Sequence, residues 1–205
     1  MSQPVLWILV GLGLAEALVR RRSAGVMLLA AQTLLLGGIA VEEAGGSAGG
    51  LWVAAAILVV RGLALPALLG LAIRGTREPR RMASEGSALP RLVVAVAVVL
   101  SAVALVPGFG LADPGTAQAA AALVALGIAI AALRRPVIFQ AIGFLVAENG
   151  VYLASLSVEG GFPVVIELGL VFDLVVVAAV AVAFGAKIHE EFGTGDTSLL
   201  RSLRD

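Results

Sequence analysis

The sequence predicts an all-α, polytopic membrane protein with about seven transmembrane helices. Three observations predict it. First, hydrophobic residues make up 60% of the 205 positions and charged residues only 14%, with a mean hydropathy of +1.05, too few charges to clothe a soluble core of this size. Second, apolar runs close to 20 residues recur along the chain, near the length that crosses a hydrocarbon layer. Third, the basic residues gather in alternate connections between those runs.

Seven runs are read, at roughly 4–19, 24–42, 51–73, 91–108, 116–133, 136–158 and 162–187. The first lacks a basic leader and is followed by Arg20, Arg21 and Arg22, so it reads as a spanning helix rather than a signal peptide. The second and last are the clearest. The fourth and fifth are parted by "PGFGLADPG", whose Pro107, Gly108, Pro114 and Gly115 break a helix and turn the chain. The fifth and sixth meet at "RRP", where Pro136 suits a first helical turn.

The connections set an orientation. Thirteen of the 14 Lys and Arg residues lie in odd-numbered connections or at the C-terminal end. The even connections carry Glu42, Glu43, Asp113 and Glu159 and no basic residue. The positive-inside rule therefore predicts an outside N-terminus and a cytoplasmic C-terminus.

Composition also excludes several functions. With no cysteine, the chain forms no disulfide and offers no thiolate to a metal or an iron–sulfur cluster. A single histidine, His189, argues against an internal haem or a multi-histidine site, so no cofactor and no metal are expected. Equal numbers of basic and acidic residues, 14 of each, give no net pull toward nucleic acid. No nucleophile motif is present, and a stand-alone enzyme is not expected.

The charges inside the runs carry the functional expectation. Arg61 is the fourteenth basic residue and falls in the middle of helix 3, where a charge costs about 2.5–3.5 kcal/mol on insertion scales. It is expected to face protein, water or a carboxylate, either as an ion pair that holds two helices or as a station in a proton or ion pathway, and the second reading is preferred. Pro66, five residues on, is expected to loosen the helix. Glu148 falls near the middle of helix 6 and Asp173 near the middle of helix 7, with Glu167 toward the outer end of helix 7. On helix 6, Phe144, Glu148, Tyr152 and Ser155 follow the spacing of one helix face, so Tyr152 and Ser155 can hold water beside Glu148. Asn149 adjoins Glu148, and Gln32 and Thr33 add polarity to helix 2. Glu16 lies one turn from the first arginine cluster and is expected to snorkel to the interface. Buried carboxylates near an arginine are the material of proton relays, and sodium ligation stays open beside them.

A weak internal repeat pairs "RRRSAGVMLLAAQTLL" with "LRRPVIFQAIGFLVAEN" at the openings of helices 2 and 6. The chain divides into a three-helix unit with a basic loop over 1–90, two linking helices over 91–133, and a third unit over 134–205 comprising two helices and the cytoplasmic tail.

The stretches "LVAENGVYL", "PVVIELGLVFDLVV" and "GTGDTSLLRSLRD", in that order, resemble the hydrogenase-4 component E family, whose C-terminal part is related to the K subunit of complex I and the C subunit of multisubunit sodium/proton antiporters. "VVRGLALPALLGLAIR" resembles that family's third helix, with Arg61 where lysine is common. The resemblance is strong over 134–205 and loose before it. It implies a non-redox membrane subunit of a complex I-like respiratory assembly, such as a group 4 [NiFe]-hydrogenase, in contact with antiporter-like subunits and with protons or sodium ions. It also implies that Glu148 and Asp173 stand for two membrane glutamates of the K subunit, Glu148 lying one turn past the first position, Leu145. The tail from Lys187 is then expected to dock along neighbouring subunits. A subunit of a cation/proton antiporter and a structural adaptor remain as alternatives.

Overall fold

The structure, a computed structural model, describes residues 2–43, 52, 55, 58–75, 88–105, 113–156 and 179–190. Every extended element among them is helical. Helix α1 runs Gln3–Leu18, with Pro4 in its first turn, where a missing N–H costs nothing. Helix α2 runs Arg22–Glu43. A π-turn at Val60–Ala64 leads into α3, Leu65–Gly75. Helix α4 is Ala88–Leu105, α5 is Pro114–Leu133 and α6 is Val137–Leu156. A last helical segment, α7, covers 179–190.

The irregular stretch in the third helix has a local cause. Pro66 has no N–H to give the carbonyl of Gly62, and its ring crowds that carbonyl. The ladder widens just before it, and the Leu65 N–H reaches back to the Val60 carbonyl, five residues away. The helix is thus loosened where Arg61 sits.

The ends of α5 are fixed by side chains. Asp113 caps its start, its carboxylate accepting from the Gly115 and Thr116 N–H groups at 3.2 Å and from the Thr116 hydroxyl at 2.7 Å. That set of hydrogen bonds, the Thr116 hydroxyl foremost, holds the Asp113 carboxyl below the usual range. At the other end Arg134 crosses to α1 and donates to the carbonyls of Ala17 (3.1 Å) and Val19 (2.8 Å). These are the open carbonyls of a helix C-terminus, which favours a cation. The Phe139 ring lies 3.6 Å beneath the guanidinium. Arg134, read from sequence as a loop charge, is buried and joins α1 to the α5–α6 corner.

Helices α5 and α6 form the most extensive packed pair, with α1 against α5 and α2, and α2 against α6, α3 and the π-turn. Packing therefore crosses the segment boundaries at 90 and 133. The α5–α6 crossing is built on small residues. A Cβ added at Gly127 would meet the backbone of Gly143 and Ala147, and one added at Gly150 the backbone of Ala120 and Val124. Between helices in lipid, where tails are as apolar as leucine, such close backbone approach supplies the attraction. Leu6, Leu9, Leu29, Leu123, Leu126, Phe139, Ile142 and Leu153 fill the core around it.

Helices α2, α4, α5 and α6 are each long and apolar enough to cross a membrane, and Gln3–Leu18 and Val60–Leu71 are shorter apolar helices. Among the described residues the protein is helical throughout its regular structure, and its long helices suit a bilayer.

Candidate functional site

The site is assembled from the π-turn, α2 and α6. Arg61 leaves the π-turn and is 3% exposed. Its Nη2 lies 2.9 Å from Oε1 of Glu148 on α6. The chain thus joins two residues that lie far apart in sequence into one ion pair. Tyr152, one turn beyond Glu148, places its ring 4.8 Å from the Arg61 guanidinium carbon, adding a second favourable contact for the cation. None of the three Arg61 guanidinium nitrogens has a hydrogen-bond partner among the described residues, so its contact with Glu148 is an ion pair without hydrogen-bond alignment.

Beside the guanidinium is a cavity of about 10 Å³, lined by Leu29, Thr33, Arg61, Leu65, Leu145 and Asn149. That is the room of one water, and three of its walls carry polar groups, the number a buried water needs. Asn149 continues the polar seam. Its amide nitrogen donates to Gln32 Oε1 at 2.8 Å and to the Thr33 hydroxyl at 3.1 Å. Gln32 then donates to the Leu9 carbonyl on α1 at 3.0 Å. A continuous polar row therefore crosses the bundle from Glu148 and Arg61, past the cavity, to α1. Each of its amides is satisfied by a neighbour on another helix, as buried amides must be.

The sequence-derived residues fall as follows. Glu148, Arg61 and Tyr152 meet directly. Asn149, Gln32 and Thr33 form the adjoining row. Ser155 is buried, but its hydroxyl donates to the Tyr152 carbonyl at 2.7 Å within its own turn. Phe144, on the expected shared face, is 58% exposed, so that face runs from the bundle surface inward. Asp173 and Glu167 lie outside the described residues, as does the tail beyond residue 190. Among the described residues no group of His, Asp and Glu is arranged to hold a metal.

Glu16 corrects an expectation. It does not snorkel to the interface; it is fully buried. Nearness in sequence to Arg20, Arg21 and Arg22 was the misleading signal. Helix α1 ends at Leu18, and Arg134, just past the end of α5, takes the carbonyls there, while Glu16 is buried.

No family model matches the chain, and no solved structure matches it. The chain is similar to "Uncharacterized protein Rv0085" of Mycobacterium tuberculosis (strain ATCC 25618 / H37Rv), with 29% identity over 155 residues, covering 73% of this chain and 70% of that protein.

Proposed function

We propose that this chain is a non-redox membrane subunit of a complex I-like respiratory assembly of the group 4 [NiFe]-hydrogenase type, and that Glu148 carries protons through it with Arg61 as its fixed cation. In this reading the chain spans the prokaryotic cytoplasmic membrane seven times, with its N-terminus outside and its C-terminus in the cytoplasm. It contacts antiporter-like subunits and holds no cofactor of its own. Asp173 and Glu167 extend the path on the seventh helix.

The observation that carries the reading is the Arg61–Glu148 pair, 2.9 Å apart within the apolar bundle. A charge in the hydrocarbon layer is costly and marks a conducting path more often than a packing device. The pair also stands where a π-turn opens the helix, and such turns gather at functional positions. The arginine offsets the carboxylate's lost hydration, and the water-sized cavity beside it has room for a water that can take a mobile proton, with the amide row ordering its polar wall. The resemblance of 134–205 to hydrogenase-4 component E supplies the type of assembly.

The test is Glu148→Gln in the assembled complex, since glutamine keeps an acceptor for Arg61 but takes up no proton. Full assembly with lost or uncoupled proton translocation is the expected result. Unchanged translocation would remove Glu148 from the path. One other reading draws on the same ion pair, a structural adaptor in which Arg61 and Glu148 only tie the π-turn to α6. It predicts lost assembly with no separate effect on turnover. Dependence of translocation on sodium would instead favour the antiporter subunit.

A further inference from the structure

Glu16 lies on α1 away from the Arg61–Glu148 pair. It is 0% exposed, and neither of its carboxylate oxygens has a hydrogen-bond partner among the described residues. No described cation is paired with it. The charged groups on the elements packed around α1 are engaged elsewhere or line other space. Arg134 binds the Ala17 and Val19 carbonyls, and Arg91 of α4 lines, with Arg134 and Ala17, a separate cavity between α1, α4 and α5. Arg22 is buried at the start of α2.

Buried polar groups in folded proteins are almost always satisfied, and a bare carboxylate has nothing here to offset its lost hydration. The charge must be met by a proton or by a small cation. The surroundings favour the proton, because a sodium site needs several oxygens converging on the ion. The position is also connected. Leu9, Gly13 and Glu16 follow the 4 and 3 spacing of one helix face. Gln32 donates to the Leu9 carbonyl, and its amide lies over Gly13, 3.4 Å from where a Cβ would stand. Glu16 is one turn farther along that face, a rise of about 4.5 Å from Gly13. The polar row from Glu148 thus ends one helical turn short of a second buried carboxyl.

We propose that Glu16 is a second proton-binding site, at the α1 end of the polar row that leads from Arg61 and Glu148 through Asn149 and Gln32. Its link to Glu148 rests on the proton-path reading given above; its own proton binding does not. On the π-turn side the row serves Glu148. On the α1 side Glu16 stands between the end of the row and the helix end that leads to Arg20, Arg21 and Arg22, and so serves exchange between that end and the interior.

The test uses the full chain in phospholipid vesicles, treated with dicyclohexylcarbodiimide. This reagent converts proton-bearing carboxyls in apolar surroundings to stable acylureas, which peptide mass mapping locates. Label is expected on Glu16, falling as the pH is raised and unaffected by sodium. Infrared spectra of the same vesicles are expected to show a protonated-carboxyl band that shifts in deuterium oxide and is lost in Glu16→Gln. An unlabelled Glu16 with no such band overturns the proposal, as does label that sodium chloride suppresses but potassium chloride does not. The labelling is read on wild-type protein alone, so a poorly folding variant does not blunt it. It also leaves the Glu148 question separate, because Glu148→Gln is expected to keep the Glu16 label.

Discussion

Along α6, Gly143, Ala147 and Gly150 press on the backbone of α5, while Glu148, Asn149 and Tyr152 turn the other way, toward the π-turn and α2. At 100° per residue the two sets lie on opposite sides of the helix. One side is dry and specified by the absence of side chains. The other is polar and specified by side chains that satisfy one another. Lipid gives no hydrophobic drive between helices, so close packing must supply the stability on one side. That leaves the other side able to hold a charge pair and a cavity. The rigid face thus positions the polar one, and each face is open to a distinct substitution.

The largest effect is expected on the dry face. Gly143→Leu places atoms where the backbone of Ala131 and Gly127 already stands. Loss of monodisperse protein in detergent is expected, beyond the roughly 1–3 kcal/mol of ordinary overpacking, because backbone cannot step aside as a rotamer can. The sharpening control is Gly11→Ala, where a Cβ meets nothing within 4 Å. That change is expected to leave the thermal transition level or slightly raised, since alanine is favoured in a helix by up to about 1 kcal/mol.

Next is the ion pair. Arg61→Met alone leaves the Glu148 carboxylate without its cation, and removal of one partner of a buried pair costs about 3–5 kcal/mol. The figure belongs near the lower end here, because the Glu148 side chain is 17% exposed. Adding Glu148→Leu to Arg61→Met is expected to restore most of that loss, measured as the thermal transition in the same detergent. A double variant no more stable than the single one would mean that the two residues are not energetically coupled.

Asn149→Ala removes the donor to Gln32 and Thr33. Interhelical hydrogen bonds in membranes average about 0.6 kcal/mol and reach about 1.7, so a loss near 1 kcal/mol is expected, well below that of Gly143→Leu. A loss as large as that of the glycine would show that the polar face also carries the packing.

The smallest effect lies outside both faces. Asp113→Ala removes the cap of α5 and is expected to cost about 0.5–1 kcal/mol. Hydrogen bonds to the Asp113 carboxylate lower its folded pKa below the unfolded one, so the cap contributes fully above the ordinary Asp value of about 4. The contribution is lost as pH falls through the depressed folded value. Stability of the native protein and of Asp113→Ala should therefore converge under strongly acid conditions and differ at neutral pH.

Much of the framework was legible in the sequence because its signals are local. The Pro and Gly residues between the fourth and fifth runs marked a break before α5, although Pro114 and Gly115 themselves fall in its first turn, and Pro66 announced the loosened turn around Arg61. Arg61 and Glu148 were each conspicuous as charges in apolar runs, yet their pairing was not legible. Nothing in a linear pattern says which faces of two distant helices will meet. The same limit hid Glu16, which stands one turn from arginines in sequence but is fully buried in the bundle. It also hid the second role of Arg134, whose target carbonyls belong to α1. The small-residue crossing did carry a signal, Gly143 and Ala147 four apart, which marks a contact face but names no partner.

The most direct measurement is proton translocation by the assembled complex carrying Arg61→Met and Glu148→Leu together. The double substitution removes the charges while sparing the structure the strain of one unpaired charge. The account predicts that all subunits assemble and that coupled proton movement is lost. Native translocation by that double variant would contradict it and leave the pair a fastening between the π-turn and α6.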